Sequence, residues 1–393
     1  MSPEARAADG PKILLATTHP LTAHRLMRGQ LAELQRRGWR PTLLSSPGDL
    51  LEEVGLAEGI PVVGIAMRRE IAPLRDLRAL FAVRAALARL APAIVNSGTP
   101  KAGLLVTAAA ASLRHPRRVY TLRGLRLETA RGWRRVLLSA TEGLSCRLAH
   151  HVVCVSRSLR DRAVEAGIAH PAKLHLLADG SSNGVDVERF APPDAERRRR
   201  SRARLGLSEG GPVIGFVGRF TRDKGITDLV RAFDRVRASH AEVRLVLAGD
   251  FETGDPVPSG IRDRIRREPH FVHAGFVDEP AELYASLDLL AFPSYREGFP
   301  NAPLEAAACG IPTVGYAATG TVDAVVDGET GTLVPVGDSG ALASAILLYV
   351  EQPALRLRRG EAARQRAVAS FRRERLWEEW DNLYRRLLNE KRA

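Results

Sequence analysis

Val213-Ile214-Gly215-Phe216-Val217-Gly218-Arg219-Phe220-Thr221-Arg222-Asp223-Lys224-Gly225-Ile226 is the stretch on which the fold turns. A five-residue apolar run is followed by a glycine and a loop rich in charge. A helical pattern then opens at Ile226 and continues to 238. An unbroken apolar run of this length marks a strand buried on both faces, and a strand leading through a short loop into an amphipathic helix is half of a strand-helix-strand unit.

The same rhythm recurs on both sides of this stretch. Upstream, apolar runs at 13–16, 42–44, 94–96, 119–122 and 152–155 alternate with helical patterns at 21–37, 74–90, 101–113 and 133–150. Downstream, strands are expected at 244–248, 271–274, 289–292 and 312–315, with helices at 281–286 and 303–309. Strands alternating with helices imply parallel sheets covered on both faces. Between the two runs, residues 186–211 hold two prolines, the arginine run Arg197 to Arg200 and a Gly-Gly pair, and read as an interdomain connection with a short, solvated linker helix. The expected organisation is a domain over 1–190, a second over 191–370, and an amphipathic closing helix over 371–393 that packs back toward the first domain.

Composition narrows the function classes. Hydrophobic residues at 45% and charged residues at 26% describe an ordinary globular chain, and 393 residues suit two domains at roughly 100–200 residues each. Three scattered cysteines form neither a disulfide framework nor a zinc cluster. The polar start, 1–11, lacks the apolar segment of a secretory signal, and the longest apolar stretches, 102–113 and 341–350, fall short of the roughly 18 residues of a membrane span. A cytoplasmic location is expected. The formal charge of +13 sits almost wholly in the first half: residues 1–190 hold 28 Lys/Arg against 16 Asp/Glu, a difference of +12. Such a half attracts an anionic membrane surface, which makes peripheral attachment to its inner face the expected partner interaction.

In open parallel sheets ligands sit beyond the carboxyl ends of the strands. Two loops there carry chemistry. In the first, Gly218 lets a ligand approach the backbone, while Arg219 and Lys224 converge on a diphosphate in front of a helix whose N-terminal end is positive. In the second, Glu297-Gly298-Phe299-Pro300-Asn301-Ala302-Pro303-Leu304-Glu305, the stretch Gly298 to Asn301 offers backbone N–H groups to a negative oxygen. Asn301 suits a helix cap, with Pro303 and Glu305 in the first turn. Carboxylates at Glu297 and Glu305 are poor phosphate ligands and good acceptors for sugar hydroxyls.

Together these loops resemble family 4 of the retaining nucleotide-sugar glycosyltransferases, of GT-B architecture: two facing Rossmann-like doubly wound domains with a cleft between. The resemblance rests on Gly218-Arg219-Phe220 with Asp223-Lys224-Gly225, on Glu297 and Glu305 in EGFPNAPLEAAACGIP, on Asp327-Gly328-Glu329-Thr330-Gly331, and on Ser182-Asn183-Gly184-Val185-Asp186. Thr99-Pro100-Lys101-Ala102-Gly103 and Tyr120-Thr121-Leu122-Arg123-Gly124 are similar to the capsule and exopolysaccharide branch. The resemblance implies transfer of a hexosyl group from a nucleotide-diphosphate sugar, a UDP-sugar above others, to a hydroxyl of a lipid-linked glycan, with no cofactor beyond that co-substrate. Arg219 and Lys224 would hold the diphosphate, Glu297 the transferred sugar, and Glu305 the ribose. Gly298, Phe299, Pro300 and Asn301 would line the donor, and Phe276 and Val277 would lie against the base. His19, Thr99, Lys101, Arg123, Gly124 and Asn183 would belong to the acceptor side.

The chain departs from the family where relatives carry His-Gly and it has Arg123-Gly124, and where they carry Gly-Gly and it has Thr17-Thr18-His19-Pro20. Arginine does not act as a base at neutral pH. Acids at Asp250, Asp255 and Asp327 are isolated from one another, so no essential metal is expected. Two rival readings are a nucleotide-sugar epimerase of the same architecture and a basic nucleic-acid-binding protein. The first would need acid and base residues positioned around the sugar ring, and the Glu297–Glu305 loop with Arg219 and Lys224 argues against it; the second lacks a stacking platform, with aromatics at 5%.

Overall fold

Ile13 and Leu15 of the first strand face one helical layer, while Leu14 and Ala16 face the other. That alternation, with apolar residues on both faces, is why the run becomes an interior parallel strand. The computed structural model describes residues 10–68, 72–113 and 116–390; the polar residues 1–9 lie outside them. The chain divides into two units, one running to Asn183 and resuming at Arg373, the other spanning Gly184–Arg372.

In the first unit the strands are β1 (Lys12–Ala16), β2 (Arg40–Ser45), β3 (Val62–Gly64), β4 (Ile94–Ser97), β5 (Arg117–Leu122), β6 (His151–Cys154) and β7 (Leu174–Leu176). The helices are α1 (Pro20–Leu26), α2 (Gln30–Arg36), α3 (Asp49–Glu58), α4 (Pro73–Leu90), α5 (Pro100–Ala111), α6 (Gly132–Leu148) and α7 (Arg157–Glu165). The parallel sheet runs β3-β2-β1-β4-β5-β6-β7, so its order reverses between β1 and β4. The second unit holds β8 (Val213–Val217), β9 (Arg244–Ala248), β10 (Phe271–Gly275), β11 (Leu289–Phe292), β12 (Thr313–Tyr316) and β13 (Gly331–Val334). Around them lie α8 (Ala195–Arg204), α9 (Ile226–Ser239), α10 (Ser259–Arg267), α11 (Ala281–Ala285), α12 (Asn301–Ala308), α13 (Thr321–Ala324), α14 (Ser339–Glu351) and α15 (Pro353–Ser370). Its order is β10-β9-β8-β11-β12-β13, reversing between β8 and β11. Both units are Rossmann-like.

The last helix, α16 (Arg373–Asn389), completes the core of the first unit. Leu376, Trp380, Leu383, Tyr384 and Leu387 pack against Ile13, Leu15, Leu31 and Leu43. Polar contacts fix its register: Trp39 Nε1 donates to Asp381 Oδ1 at 2.7 Å, Trp377 Nε1 to Asn183 Oδ1 at 2.7 Å, and Asn96 Nδ2 to the Tyr384 hydroxyl at 2.7 Å.

Several expectations meet a different structure. The helix expected over 21–37 is two helices, broken where Gly29 takes a left-handed backbone. Glu58, at the end of α3, explains the break: its carboxylate accepts from the N–H groups of Gly29, Leu31 and Ala32 at 2.6, 3.1 and 3.0 Å, supplying the start of α2 from a distant segment. The division between units falls at Asn183, ahead of the expected 190, because Val185 N donates to Phe371 O at 2.8 Å and ties the second unit's beginning to its end. The 186–211 stretch is not a solvated connection. Arg199 and Arg200 face water, while Arg197 pairs with Glu282 at 3.0 Å and Arg198 pairs with Asp288.

Under the first sheet's other layer, Tyr120 donates its hydroxyl to Glu142 of α6. Burial pushes the Glu142 carboxyl up to about 7, against the opposing pull of that hydrogen bond. A carboxyl raised in the folded state binds a proton between about 4.5 and 7 that the unfolded chain has lost. Its penalty is therefore absent below 4.5 and fully present above 7, reaching on the order of 3 kcal/mol. Glu142→Gln is expected to remove this slope, gaining urea resistance at pH 8 and not at pH 4.5. Equal gains at both values would show that Glu142 does not titrate in this window.

Candidate active site

In the second unit the reversal between β8 and β11 brings the two charged loops together. Gly225, with φ +71°, turns the chain from the first loop into α9. A Cβ there would lie 2.0 Å from Pro293 O, so only glycine lets the loops after β8 and β11 touch. Gly320, with φ +77°, does the same for the loop after β12, since a Cβ would lie 2.4 Å from Gly298 O.

Held this way, Lys224 Nζ reaches Glu297 Oε1 at 2.5 Å, with each side chain only 14% exposed. Arg219, half exposed, reaches Glu252 Oε2 at 2.7 Å. Beside them Arg296 Nη2 binds Asp223 Oδ2 at 2.7 Å. Burial works to raise the Asp223 carboxyl, but the Thr221 hydroxyl and the charges of Lys224, Arg296 and Arg219 outweigh it and hold the pKa below the usual range. Arg296 is the cation bonded to Asp223, while Lys224 and Arg219, each paired with a carboxylate of its own, lower its pKa through their charge. Asp223, Arg296 and Glu252 were not named as candidates; Arg296 directly precedes Glu297, and its charge was the available signal.

The backbones of both loops are tied to their neighbours. Gly218 N donates to Ala248 O at 3.0 Å, and Glu297 N donates to Thr319 O at 3.0 Å. Phe299 turns its ring away into the core against Phe371, 5.2 Å between centroids, so only its backbone is left for a ligand. Pro300, not Asn301, occupies the cap position of α12; Asn301 is the first helical residue, and its buried Oδ1 has no partner among the described residues. Glu305 falls in the second turn of the helix and accepts from the Tyr284 hydroxyl at 2.9 Å, so its orientation is set by a partner and not by the helix dipole. Phe276 and Val277 follow β10, the edge strand, and Phe276 is exposed.

In the first unit the reversal point lies between the loops after β1 and β4. Thr18 and Thr99 bind through their hydroxyls at 2.7 Å, and Thr18 Oγ1 accepts from Ala102 N at 3.1 Å. His19 Nδ1 accepts from Leu21 N at 3.2 Å and caps α1. Lys101 Nζ is held by Asp76 at 2.8 Å. Asn183 is spent on structure, its Oδ1 taking Trp377 and its Nδ2 donating to Arg28 O at 3.0 Å. Arg123, followed by Gly124 with φ +143°, lies within 2.8 Å of where a Gly98 Cβ would stand. Its buried Nε and Nη1 have no partner among the described residues, and burial lowers the guanidinium to about 10.

Cations and carboxylates thus gather beyond the carboxyl ends of a parallel sheet, where ligands bind in open α/β folds, in a chain with two such sheets. The family "Glycosyl transferases group 1" matches residues 197–366, and "Glycosyl transferase 4-like domain" matches residues 22–180. The capsular polysaccharide biosynthesis glycosyltransferase CapM of Staphylococcus aureus is 34% identical over 367 residues, covering 93% of this chain and 94% of that protein. Among solved structures, Anabaena HepE in complex with UDP and glucose aligns with a TM-score of 0.80 at 20% identity, over 95% of this chain and 99% of that one. The sucrose-phosphate synthase of Thermosynechococcus elongatus aligns at 0.79 and 22% identity, over 96% and 99%. The two structures establish the shared fold. This chain belongs to the family 4 glycosyltransferases.

Proposed function

We propose that the chain is a retaining hexosyltransferase that moves a sugar from a nucleoside diphosphate sugar, a UDP-sugar before others, to a hydroxyl of a lipid-linked glycan during assembly of a capsular or related polysaccharide. It works from the cytoplasm against the membrane surface, with the donor as co-substrate and no separate cofactor. The observation that carries this reading is the contact of Lys224 with Glu297, beside the Arg296–Asp223 and Arg219–Glu252 pairs. The CapM relative supports the polysaccharide role, and the UDP and glucose held by HepE support the donor class.

As the bond from the anomeric carbon to the diphosphate breaks, negative charge grows on the departing phosphate. Arg219 and Lys224 stabilise it, each leaving the carboxylate that holds it in the free chain. Glu297, released from Lys224, accepts from the sugar hydroxyls, and Glu305 accepts from the ribose. Backbone N–H groups of Gly298, Phe299 and Asn301 bind phosphate oxygens, Pro300 having none. The acceptor hydroxyl attacks on the face the diphosphate leaves and passes its proton to the leaving oxygen, so the anomeric configuration is kept.

The test is a thermal-shift series with nucleotide sugars. A ligand bound only by the folded state at a hundred times its Kd adds about 2.7 kcal/mol. One UDP-sugar is expected to stand out, and Glu305→Ala is expected to lose its shift while the unliganded melting point stays close to wild type. A shift surviving in Glu305→Ala would take the ribose role from Glu305. Products formed from the donor without acceptor would favour the epimerase.

A further inference from the structure

Two helices of the first unit turn apolar side chains to water in a repeating pattern. α4 and α6 pack on either side of α5, so the three form one layer over the sheet. Along α6, Trp133, Val136, Ala140 and Leu144 recur three or four residues apart and are all exposed, Trp133 by 69%. Along α4, Leu74, Leu77 and Phe81 do the same, at 80, 50 and 61%. A singly exposed leucine is ordinary, but stripes on two helices of one layer are not.

The charges around these stripes are of one sign. α4 carries Arg75, Arg78, Arg84 and Arg89; Arg131, Arg134, Arg135 and Arg147 stand at the start and along the length of α6. All eight are exposed, and none makes an ion pair among the described residues. The acids of the two helices are withdrawn: Asp76 is held by Lys101 at 2.8 Å, and Glu142 is buried under Tyr120. The basic excess of the first half therefore has a definite place.

We propose that this face of α4 and α6 docks on an anionic phospholipid surface. The inference deepens the membrane reading above by naming the residues that make the contact. Trp133, Phe81 and the leucines enter the boundary between headgroups and acyl chains, and the arginines lie across it and pair with lipid phosphates. Aliphatic side chains such as Leu74, Leu77 and Val136 offer nothing for bases to stack on, which sets a nucleic acid aside.

Of the four tryptophans, Trp39, Trp377 and Trp380 are buried, so a change of emission on binding reports Trp133. The full chain is mixed with phosphatidylcholine vesicles with and without phosphatidylglycerol. Co-sedimentation with the anionic vesicles, weakened by salt, and a blue shift of tryptophan emission are expected. Arg134→Ser with Arg135→Ser is expected to lower the partition coefficient by about thirtyfold, and Trp133→Phe to abolish the blue shift. UDP-sugar stabilisation measured on the same samples is expected to be unchanged, which separates a failed docking surface from a failed donor site. Equal binding to both vesicle types, no binding, or variants that bind like wild type would overturn the proposal. A dimer that Trp133→Ser dissolves would assign the face to a second copy of the chain instead.

Discussion

Lys224→Ala is expected to lower kcat/KM for the donor by about two to three orders of magnitude, the usual loss when one preorganised group facing developing charge is removed. The side chain does two things that alanine does not. In the proposed mechanism it brings a positive charge to the diphosphate, and in the free chain it pairs with Glu297, 2.5 Å away and equally covered. Removing it leaves the Glu297 carboxylate uncompensated beside the proposed phosphate site. The loss should therefore appear in KM as well as kcat. Glu297→Ala alone should be damaging by a different route, by taking away the acceptor for the sugar hydroxyls. The double variant should be less impaired than the product of the two single losses, because each single change leaves the other member of the pair uncompensated. Initial rates against donor concentration for the three variants decide it. A fall of less than about tenfold in Lys224→Ala would place the residue outside the charge-stabilising group.

Asp288→Ala is expected to cost about 3–5 kcal/mol in the unfolding free energy of the second unit, the range for breaking a buried ion pair by deleting one partner. Arg202 is 3% exposed and Asp288 8%. Asp288 Oδ2 accepts from Arg202 Nη2 at 2.6 Å and from Val213 N at 2.8 Å, while Oδ1 faces Arg198 and, at 3.6 Å, Arg356. One carboxylate thus ties α8 to the start of β8 from the residue just ahead of β11. Burial already lowers the Arg202 pKa, and Asp288 opposes that effect. Without Asp288 the buried guanidinium keeps its backbone acceptors and loses its counter-charge. Because β8 and β11 lead directly into the loops holding Lys224 and Glu297, donor-induced stabilisation should weaken in parallel. Urea unfolding with and without donor measures both. The double change Arg202→Met, Asp288→Leu should recover much of the loss, since apolar replacement of a buried pair is often close to neutral. Full stability of Asp288→Ala would show that the cluster contributes nothing beyond its backbone contacts.

The longer strands and the two charged loops were legible in sequence because the signals are local. An apolar run such as 244–248 is a strand in the structure over the same residues, and the loop after Val217 holds its cations within a few residues of each other. The three-residue strands Val62–Gly64 and Leu174–Leu176 were not expected, nor was the edge strand Gly331–Val334. A segment that short has no period of its own and becomes a strand only when a neighbour pairs with it.

By itself the sequence determined two Rossmann-like units and the two charged loops at their strand ends, since each strand-loop-helix pattern is local; that Gly225 and Gly320 let those loops touch only the fold shows. Tertiary structure alone decided which polar groups are available. Glu58 caps a helix some thirty residues away and breaks it in two; Asn183 is taken by Trp377; Asp288 draws part of an arginine run inward; and the buried Nε and Nη1 of Arg123 have no partner among the described residues. The physical reason is that a buried polar side chain can bond only to what the fold brings within about 3 Å, and chain order says nothing about which group, if any, that is.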